Sequence, residues 1–226
     1  MLAPTLNAMQ SPTSTAYEAS RTALRRSRPR SGGADGNELL TSLTGALLIV
    51  LLAVIGLTLL ALSRLLWVHL FVGLILVGPL ALKMASTGYR FARYYTGNRP
   101  YVEKGPPATP LRLIAPIVVL STVAVMATGI WLLLAGPSVR DSVLPLHKAS
   151  FIIWGVFFAV HVLGHLPGMA RALHIDVAGI RPAPRVRGGG SGRSLSLLGV
   201  LVLGVVLAII LIPEYSAWIH AQQFSH

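Results

Sequence analysis

Residues 39–62 read LLTSLTGALLIVLLAVIGLTLLAL and contain no charged side chain. A helix needs about 20 apolar residues to cross the hydrocarbon core of a bilayer, so this stretch is long enough to span a membrane. Its apolar residues are continuous rather than alternating, which favours a helix over a strand of a membrane barrel. The stretch therefore predicts a transmembrane helix.

Four further stretches have the same apolar character, at residues 65–88, 113–135, 145–166 and 195–212. The whole chain is 54% hydrophobic and only 12% charged, whereas soluble domains carry roughly 25% charged residues. The chain has no cysteine, which excludes disulfides, iron–sulfur clusters and thiolate-ligated metals. We therefore expect an all-α fold, a polytopic transmembrane helical bundle with five spans.

Basic residues are concentrated on one side of the predicted membrane. The segments before span 1, between spans 2 and 3, and between spans 4 and 5 hold fifteen Lys and Arg residues, against three in the other two connections. Because basic loops stay in the cytoplasm, we expect the N-terminus inside and the C-terminus outside. Basic cytoplasmic segments then account for the net charge of +12, and no nucleic acid partner is required to explain it. The expected location is the cytoplasmic (inner) membrane, with the lipid bilayer as partner.

The predicted spans divide the chain into four parts. Residues 1–38 lack the apolar core of a signal peptide and are expected to be a disordered basic cytoplasmic tail, although their Ser- and Arg-rich composition also fits a transit peptide. Residues 39–168 are expected to form a four-helix transmembrane bundle. A basic cytoplasmic linker rich in Gly and Pro, 169–194, leads to a fifth transmembrane helix with a short external tail, 195–226. Whether this helix packs on the bundle or is only tethered stays open.

Ionisable side chains within the spans are few, and such groups are functional candidates because they are costly in a membrane. They are His69, Lys83, His147, His161 and His165, with Lys148 at the outer end of the fourth span. The spans contain no Asp or Glu, the residues that usually relay protons or hold cations in transporters. This absence weakens an ion-coupled transport function.

Two of these histidines are expected at the same depth near the outer surface. His69 lies four residues after the start of the second span, and His147 two residues after the start of the parallel fourth span. Two neutral imidazoles on parallel helices can bind a haem iron from opposite faces. Gly73 and Gly155, one and two turns further along their helices, would let the flat macrocycle approach the backbone.

A second level follows from the same spacing. His161 lies 14 residues after His147 on the same helical face, and the equivalent position in the second span is Lys83. Three interpretations are open: a second haem held by His161 with Met84 or a neutral Lys83, a second haem that uses His165, or an anionic group or quinone oxygen bound to Lys83. In the simplest alternatives Lys83 snorkels to the surface and the histidines form interhelical hydrogen bonds.

Two strings carry a family resemblance: LLWVHLFVGLILVGPLALKMASTGYRFARYYTG at residues 65–97 and LPLHKASFIIWGVFFAVHVLGH at 144–165. Residues 65–168 resemble the membrane cytochrome b superfamily, in particular small bacterial relatives of cytochrome b561 and the b/b6-type cytochromes. The resemblance implies that His69 and His147 bind an outer haem b and that His161 supplies one ligand of an inner haem. Lys83 stands where that pattern has a fourth histidine, so a second haem is in question.

The resemblance also implies partners and a role. They are a quinone and an external redox subunit, such as a molybdopterin oxidoreductase. The expected function is a b-type cytochrome membrane subunit that carries electrons, rather than a complete enzyme. The alternative is a haem-free membrane scaffold or small-solute transporter, whose histidines serve as interhelical hydrogen-bonding or pH-sensing groups.

Overall fold

A computed structural model describes residues 33–105, 109–172 and 190–223. This part of the chain is helical and contains no strand, which confirms the all-α prediction there. Its helices are α1 (Gly33–Thr58), α2 (Leu62–Tyr95), the short α3 (Arg99–Glu103), α4 (Thr109–Ala135), α5 (Arg140–Ala172), α6 (Gly190–Ile210) and α7 (Ile212–Gln223). Single 3-10 turns, Leu59–Ala61 and Pro137–Val139, join α1 to α2 and precede α5. The tail prediction for residues 1–32 and the linker prediction for 173–189 lie outside the described residues.

The described helices have the length and composition of membrane spans. Four helical segments are long and apolar enough to cross a bilayer: Gly33–Tyr95, Thr109–Ala135, Pro137–Gly168 and Gly190–Ile210. The first of these, 63 residues long, contains both α1 and α2. The chain thus has the helices of a multi-pass membrane protein.

Helices α1 and α2 fold back on each other as an antiparallel hairpin. Near the start of α1, the amide of Asn37 donates a hydrogen bond of 3.1 Å to the carbonyl of Ser86 near the end of α2. At the opposite end, Thr58 contacts His69 through their side chains. The turn at Leu59–Ala61 therefore reverses the chain.

Helices α4 and α5 form a second antiparallel hairpin. Leu111 near the start of α4 lies against Gly164 near the end of α5. Thr128 in the last third of α4 contacts His147 in the first third of α5. The turn between them passes through Gly136, whose φ of 73° lies in the left-handed region that glycine adopts at no steric cost.

The two hairpins together form a four-helix arrangement. Helix α1 contacts α2 and α5, and α4 contacts α5 and α2, whereas the described backbones of α2 and α5 do not pack closely on each other. Helices α2 and α5 are therefore diagonal neighbours across the bundle. We call the two ends of the bundle the α3 end and the α7 end, after the short helices α3 and α7.

Helix α6 packs closely against α2 in the antiparallel direction. A Cβ atom on Gly78 of α2 would lie 2.2 Å from the carbonyl oxygen of Val200, and one on Gly204 of α6 would lie 2.6 Å from that of Ile75. Small residues permit such close approach between membrane helices. The fifth apolar helix is therefore packed on the others, which answers the question that the sequence left open.

Helix α7 is formed by residues that the sequence placed in a short external tail. Tyr215 is 1% exposed, and its hydroxyl donates a hydrogen bond of 2.9 Å to the carbonyl of Ala208. The indole Nε1 of Trp218 donates to the carbonyl of Leu132 over 3.1 Å. These anchors join α7 to α6 and α4, so residues 212–223 cover the end of the bundle as a helix.

Other predicted boundaries also move outward, because helices continue beyond their apolar stretches. Residues 33–38 belong to α1 rather than to a tail, and 169–172 and 190–194 belong to α5 and α6 rather than to a linker.

Lys104, after α3, pairs with Asp35 at 2.7 Å and with Glu38. Burial lowers the pKa of Lys104, but the hydrogen bonds and charges of Asp35 and Glu38 outweigh it and raise that pKa above its ordinary value. Carboxylates near a helix N-terminus are also favourable for the helix dipole.

Substitution of Gly78 by leucine is expected to lower the thermal stability of the purified protein, because the new side chain would displace the backbone of α6. Overpacking of this kind costs about 1–3 kcal/mol. Gly88→Leu is the matched control, since a Cβ atom at Gly88 on the same helix meets nothing within 4 Å. Thermal unfolding in detergent compares the two, and equal melting temperatures would contradict the close packing of α2 and α6.

Candidate functional site

The imidazole of His69 is held by a threonine from the other arm of its hairpin. Nδ1 of His69 lies 2.8 Å from Oγ1 of Thr58, and Thr58 itself is 2% exposed. The same hydroxyl donates a hydrogen bond of 2.6 Å to the carbonyl of Ile55. The turn between α1 and α2 sets this register, so His69 has a fixed partner inside the protein.

His147 is held in the same way in the second hairpin. Nδ1 of His147 lies 3.0 Å from Oγ1 of Thr128 on α4. The Thr128 hydroxyl donates to the carbonyl of Ala124 over 2.7 Å. Each candidate histidine therefore has a threonine hydroxyl, from the neighbouring antiparallel helix, on the same ring nitrogen.

These contacts are compatible with a metal-binding tautomer of both rings. The hydroxyls of Thr58 and Thr128 donate to backbone carbonyls, so their oxygens can accept a hydrogen bond from the histidine Nδ1–H. In that tautomer Nε2 carries the lone pair, which is the form of a neutral imidazole that binds a metal. The ring of His147 also has a hydrogen bond with the backbone of Val125.

The two histidines stand on helices that are diagonal in the bundle, His69 on α2 and His147 on α5. Each is held by a threonine of its own hairpin. Both lie in the part of their helix that leads to the α7 end. That one ligand lies between the two rings stays a prediction.

Gly129 makes room for the ring of His147. A Cβ atom at Gly129 would lie 3.1 Å from Cε1 and 3.5 Å from Nδ1 of that ring. Such contacts are tighter than ordinary van der Waals distances, so a larger residue here would displace the imidazole. Gly129 and Thr128 together determine where His147 sits.

An apolar cavity of about 310 Å³ lies between α1 and α5, and its lining residues include neither His69 nor His147. Ile55 and Gly56 of α1 line it just before Thr58, and Trp154 and Gly155 of α5 line it about two turns after His147. This volume is in the range of small-molecule sites, about 300–1,000 Å³. The cavity offers an apolar space for a ligand at the level below the histidines.

The two predicted glycines have open surroundings. A Cβ atom at Gly155 would meet nothing within 4 Å, and one at Gly73 would meet only Ile55 Cδ1, at 3.8 Å. Gly155 borders the cavity directly, and Gly73 lies behind its Ile55 wall. The role of both glycines beside a flat ligand stays a prediction.

The inner level, the depth predicted for Lys83 and His161, has different hydrogen bonds from the level of His69 and His147. The 14-residue spacing predicts Lys83 of α2 and His161 of α5 at one depth. The Lys83 ammonium donates a hydrogen bond of 2.8 Å to the carbonyl of Thr41 on α1. Nδ1 of His161 is buried and has no hydrogen-bond partner. Lys83 is therefore bound within the bundle.

The remaining candidates for the inner level are less suited to bind a metal. Met84 is 36% exposed, on a different face of α2 from the half-buried Lys83. His165 is exposed, with its ring centroid 4.5 Å from that of His161. The described residues contain no group of three or more His, Cys, Asp or Glu that could hold a metal ion. His161 and His165 thus lack a third protein ligand in this part of the chain.

Thr58, Thr128 and Gly129 were not predicted from the sequence as residues of the site. A signal exists for one of the threonines: Thr128 lies eight residues before the turn at 136–139 and His147 eight residues after it, and equal distances from a hairpin turn place two residues at the same height. Thr58 directly precedes its turn, whereas His69 lies eight residues after it, so the same rule gives no signal for that pair. The rotation of each helix about its own axis, which brings the side chains into contact, is not visible in a single sequence.

Comparisons of the chain with protein-family models, with curated proteins and with solved structures found no match.

Proposed function

We propose that this chain is a b-type cytochrome membrane subunit, in which His69 and His147 bind the iron of one haem b through Nε2. Bound haem supplies one-electron redox chemistry, and the protein supplies ligation, orientation and burial. The chain would carry electrons between a quinone or a redox partner and the haem. An external redox subunit, such as a molybdopterin oxidoreductase, is the proposed partner at the α7 end.

The paired threonine–histidine contacts carry this proposal. Metal-binding histidines generally donate their second ring N–H to a fixed acceptor, which orients the ring and raises its basicity. Thr58 and Thr128 provide that acceptor for both candidate ligands. Two imidazoles on diagonal helices of a four-helix bundle would hold the iron of one haem, which would supply electron-transfer chemistry.

A second haem does not fit the inner level. Lys83 stands where a second imidazole would be needed, and its ammonium is bound to Thr41. Met84 is exposed, and His165 stands on the same helix as His161, so neither can face His161 from α2 inside the bundle. We therefore propose one haem per chain.

The proposed haem affinity depends on the two threonine hydroxyls. Replacing Thr58 or Thr128 by valine keeps the side-chain shape but removes the acceptor for Nδ1–H. We expect haem affinity to fall about 10- to 100-fold, as when other second-shell partners are lost. Haem titration of the apoprotein, followed by absorbance, measures this change.

Thr44 provides the control for this test. It is fully buried on α1, like Thr58, and its hydroxyl donates only to the carbonyl of Leu40, at 2.7 Å. Thr44→Val is expected to keep the wild-type affinity. If all three valine variants bind haem equally well, the threonines do not support haem ligands.

We further propose five spans in the cytoplasmic membrane, with the N-terminus inside and the C-terminus outside. The antiparallel packing of α1 with α2, α4 with α5 and α2 with α6 supports an alternating path. The described basic residues support the orientation: Arg90, Arg93, Arg99, Lys104 and Arg112 belong to the α3 end, and Arg64, Arg140 and Lys148 to the α7 end.

A reporter enzyme that is active only in the cytoplasm tests this topology. Fused after His226 of the full chain, it should be inactive, because the C-terminus lies outside. Fused after Gly105, between α3 and α4, it should be active, and this fusion controls for expression. Activity of the fusion after His226 would contradict either the number of spans or the orientation.

The haem-free scaffold is the second candidate, and the same hydrogen bonds favour it. In a scaffold, the contacts of His69 and His147 with Thr58 and Thr128 would simply join neighbouring helices, which polar side chains do in membrane proteins. The scaffold requires no ligand on Nε2. The reduced-minus-oxidised spectrum of the purified protein separates the two functions, since only the cytochrome has haem bands.

A further inference from the structure

The apolar cavity between α1 and α5 has a wall of aromatic rings. Phe151, Trp154 and Phe158 line it from α5, at spacings of three and four residues that place them on one face of the helix. The rings of Trp154 and Phe158 are stacked, with 4.4 Å between their centroids and 18° between their planes. The centroid of Phe151 lies 5.9 Å from that of Trp154. The three rings therefore form a continuous aromatic surface along the cavity.

The cavity is longer than it is wide. Phe151 and Val162, the first and last lining residues of α5, are 11 residues apart, which is about 16 Å along a helix. A volume of about 310 Å³ spread over this length gives a narrow space. A Cβ atom at Gly56 on the α1 side meets nothing within 4 Å, so open space lies beside this glycine. Such a shape suits a flat or extended molecule.

The lining has a single side-chain hydrogen-bond donor, the indole N–H of Trp154. The other lining residues are Ile, Leu, Ala, Gly, Phe and Val, whose side chains can neither donate nor accept. Within the described ranges Nε1 of Trp154 has no hydrogen-bond partner, and it is accessible rather than buried. Indole N–H groups that are kept from water usually find an acceptor, as Trp218 does at the carbonyl of Leu132. The donor of Trp154 is therefore available to a ligand.

A lipid acyl chain is the simplest occupant of an apolar space in a membrane, but it cannot accept a hydrogen bond. Because lipid tails are as apolar as the cavity wall, an apolar molecule gains little hydrophobic free energy when it moves from the bilayer into the cavity. Contact with aromatic rings and a hydrogen bond to the indole are interactions that lipid tails do not offer. These two interactions favour a flat ring with an acceptor oxygen over an acyl chain.

We infer that the cavity binds a flat, apolar ring compound that carries a carbonyl oxygen, with the indole N–H of Trp154 as the donor to that oxygen. The ring of the ligand lies along the aromatic surface, and the open space beside Gly56 accommodates it. The site requires neither the proposed haem nor its redox partner. Failure of this inference and failure of the haem proposal are therefore separate results.

Fluorenone and fluorene are a matched pair of probes, because fluorenone has a carbonyl group where fluorene has a methylene group. Their distribution between lipid nanodiscs that contain the purified full chain and empty nanodiscs of the same lipid measures binding beyond partition into the bilayer. We expect saturable binding of fluorenone to the wild type that is about 5- to 30-fold stronger than that of fluorene. This is the gain expected from one hydrogen bond between side chains in a membrane.

Trp154→Phe keeps an aromatic ring in the wall and removes the N–H donor. The affinity for fluorenone should fall to that for fluorene, whereas the affinity for fluorene should stay unchanged. Trp131→Phe is the matched control, since Trp131 is 55% exposed on α4 and does not line the cavity. It should bind both probes as the wild type does.

Gly56→Leu tests the location of the site, because its side chain enters the open space on the α1 side of the cavity. Both probes should bind about 10-fold or more weakly, since the leucine occupies the space of the ligand. Gly88→Leu, at a glycine with open surroundings outside the cavity, should not change their binding.

The wild type alone provides a decisive result, in case Trp154→Phe does not fold. The inference is overturned if the wild type binds fluorenone no more strongly than fluorene. It is also overturned if folded Trp154→Phe keeps the wild-type affinity for fluorenone, or if folded Gly56→Leu binds both probes as the wild type does.

Discussion

Replacing His69 or His147 by alanine is expected to abolish the low-spin haem spectrum of the full chain. Each substitution removes one of the two imidazoles that we propose as axial ligands, and an iron with one imidazole cannot keep the six-coordinate low-spin state. The change should appear in the reduced-minus-oxidised spectrum and in the haem content per chain. Haem contributes to the stability of a folded state that binds it, so both variants should also unfold at a lower temperature.

Two other histidines serve as controls for this experiment. His220 is exposed on α7, and His161 belongs to the inner level, where we propose no haem. His220→Ala and His161→Ala should each keep the low-spin spectrum. If His161→Ala removes the signal while His69→Ala keeps it, the haem lies at the inner level and our assignment of ligands is wrong.

The second large effect is expected at Gly129, which does not contact a ligand in our proposal. A Cβ atom there already lies 3.1 Å from Cε1 of His147, and valine adds two methyl groups on that atom. The imidazole must then move away from Thr128, so the ring would lose both its orientation and its hydrogen bond. We expect haem affinity to fall by about 100-fold or more, at or beyond the upper range for loss of second-shell support.

Gly199→Val is the matched control, because a Cβ atom at Gly199 on α6 meets nothing within 4 Å. Both variants introduce the same β-branched residue into a membrane helix. Haem titration followed by absorbance compares their affinities. Wild-type affinity in Gly129→Val would show that the position of the His147 ring does not matter for haem binding.

The sequence was sufficient for the features that depend on hydropathy and on spacing within one helix. Uncharged runs such as residues 39–62 predict membrane helices because burial of apolar surface in lipid needs no tertiary context. These apolar runs are local to a helix and can be read from one chain. The equal depth of Lys83 and His161, which rests on a 14-residue spacing in two helices, stays a prediction.

Features that depend on contacts between helices could not be predicted. Thr58 and Thr128 reach the histidines only because of the rotation of α1 and α4 in their hairpins. Helix α7 escaped prediction because it includes polar residues, and it is positioned by Tyr215 and Trp218, which contact other helices. The close packing of α6 depends on Gly78 and Gly204, whose importance appears only when two backbones meet.

The haem content of the purified wild-type chain tests the central claim most directly. The full chain should be expressed with excess haem, and the pyridine haemochrome should then be quantified against the polypeptide. We expect about one haem b per chain, with a low-spin reduced-minus-oxidised spectrum, as two axial histidines require. A folded protein without haem bands under these conditions would contradict the cytochrome and leave the haem-free scaffold.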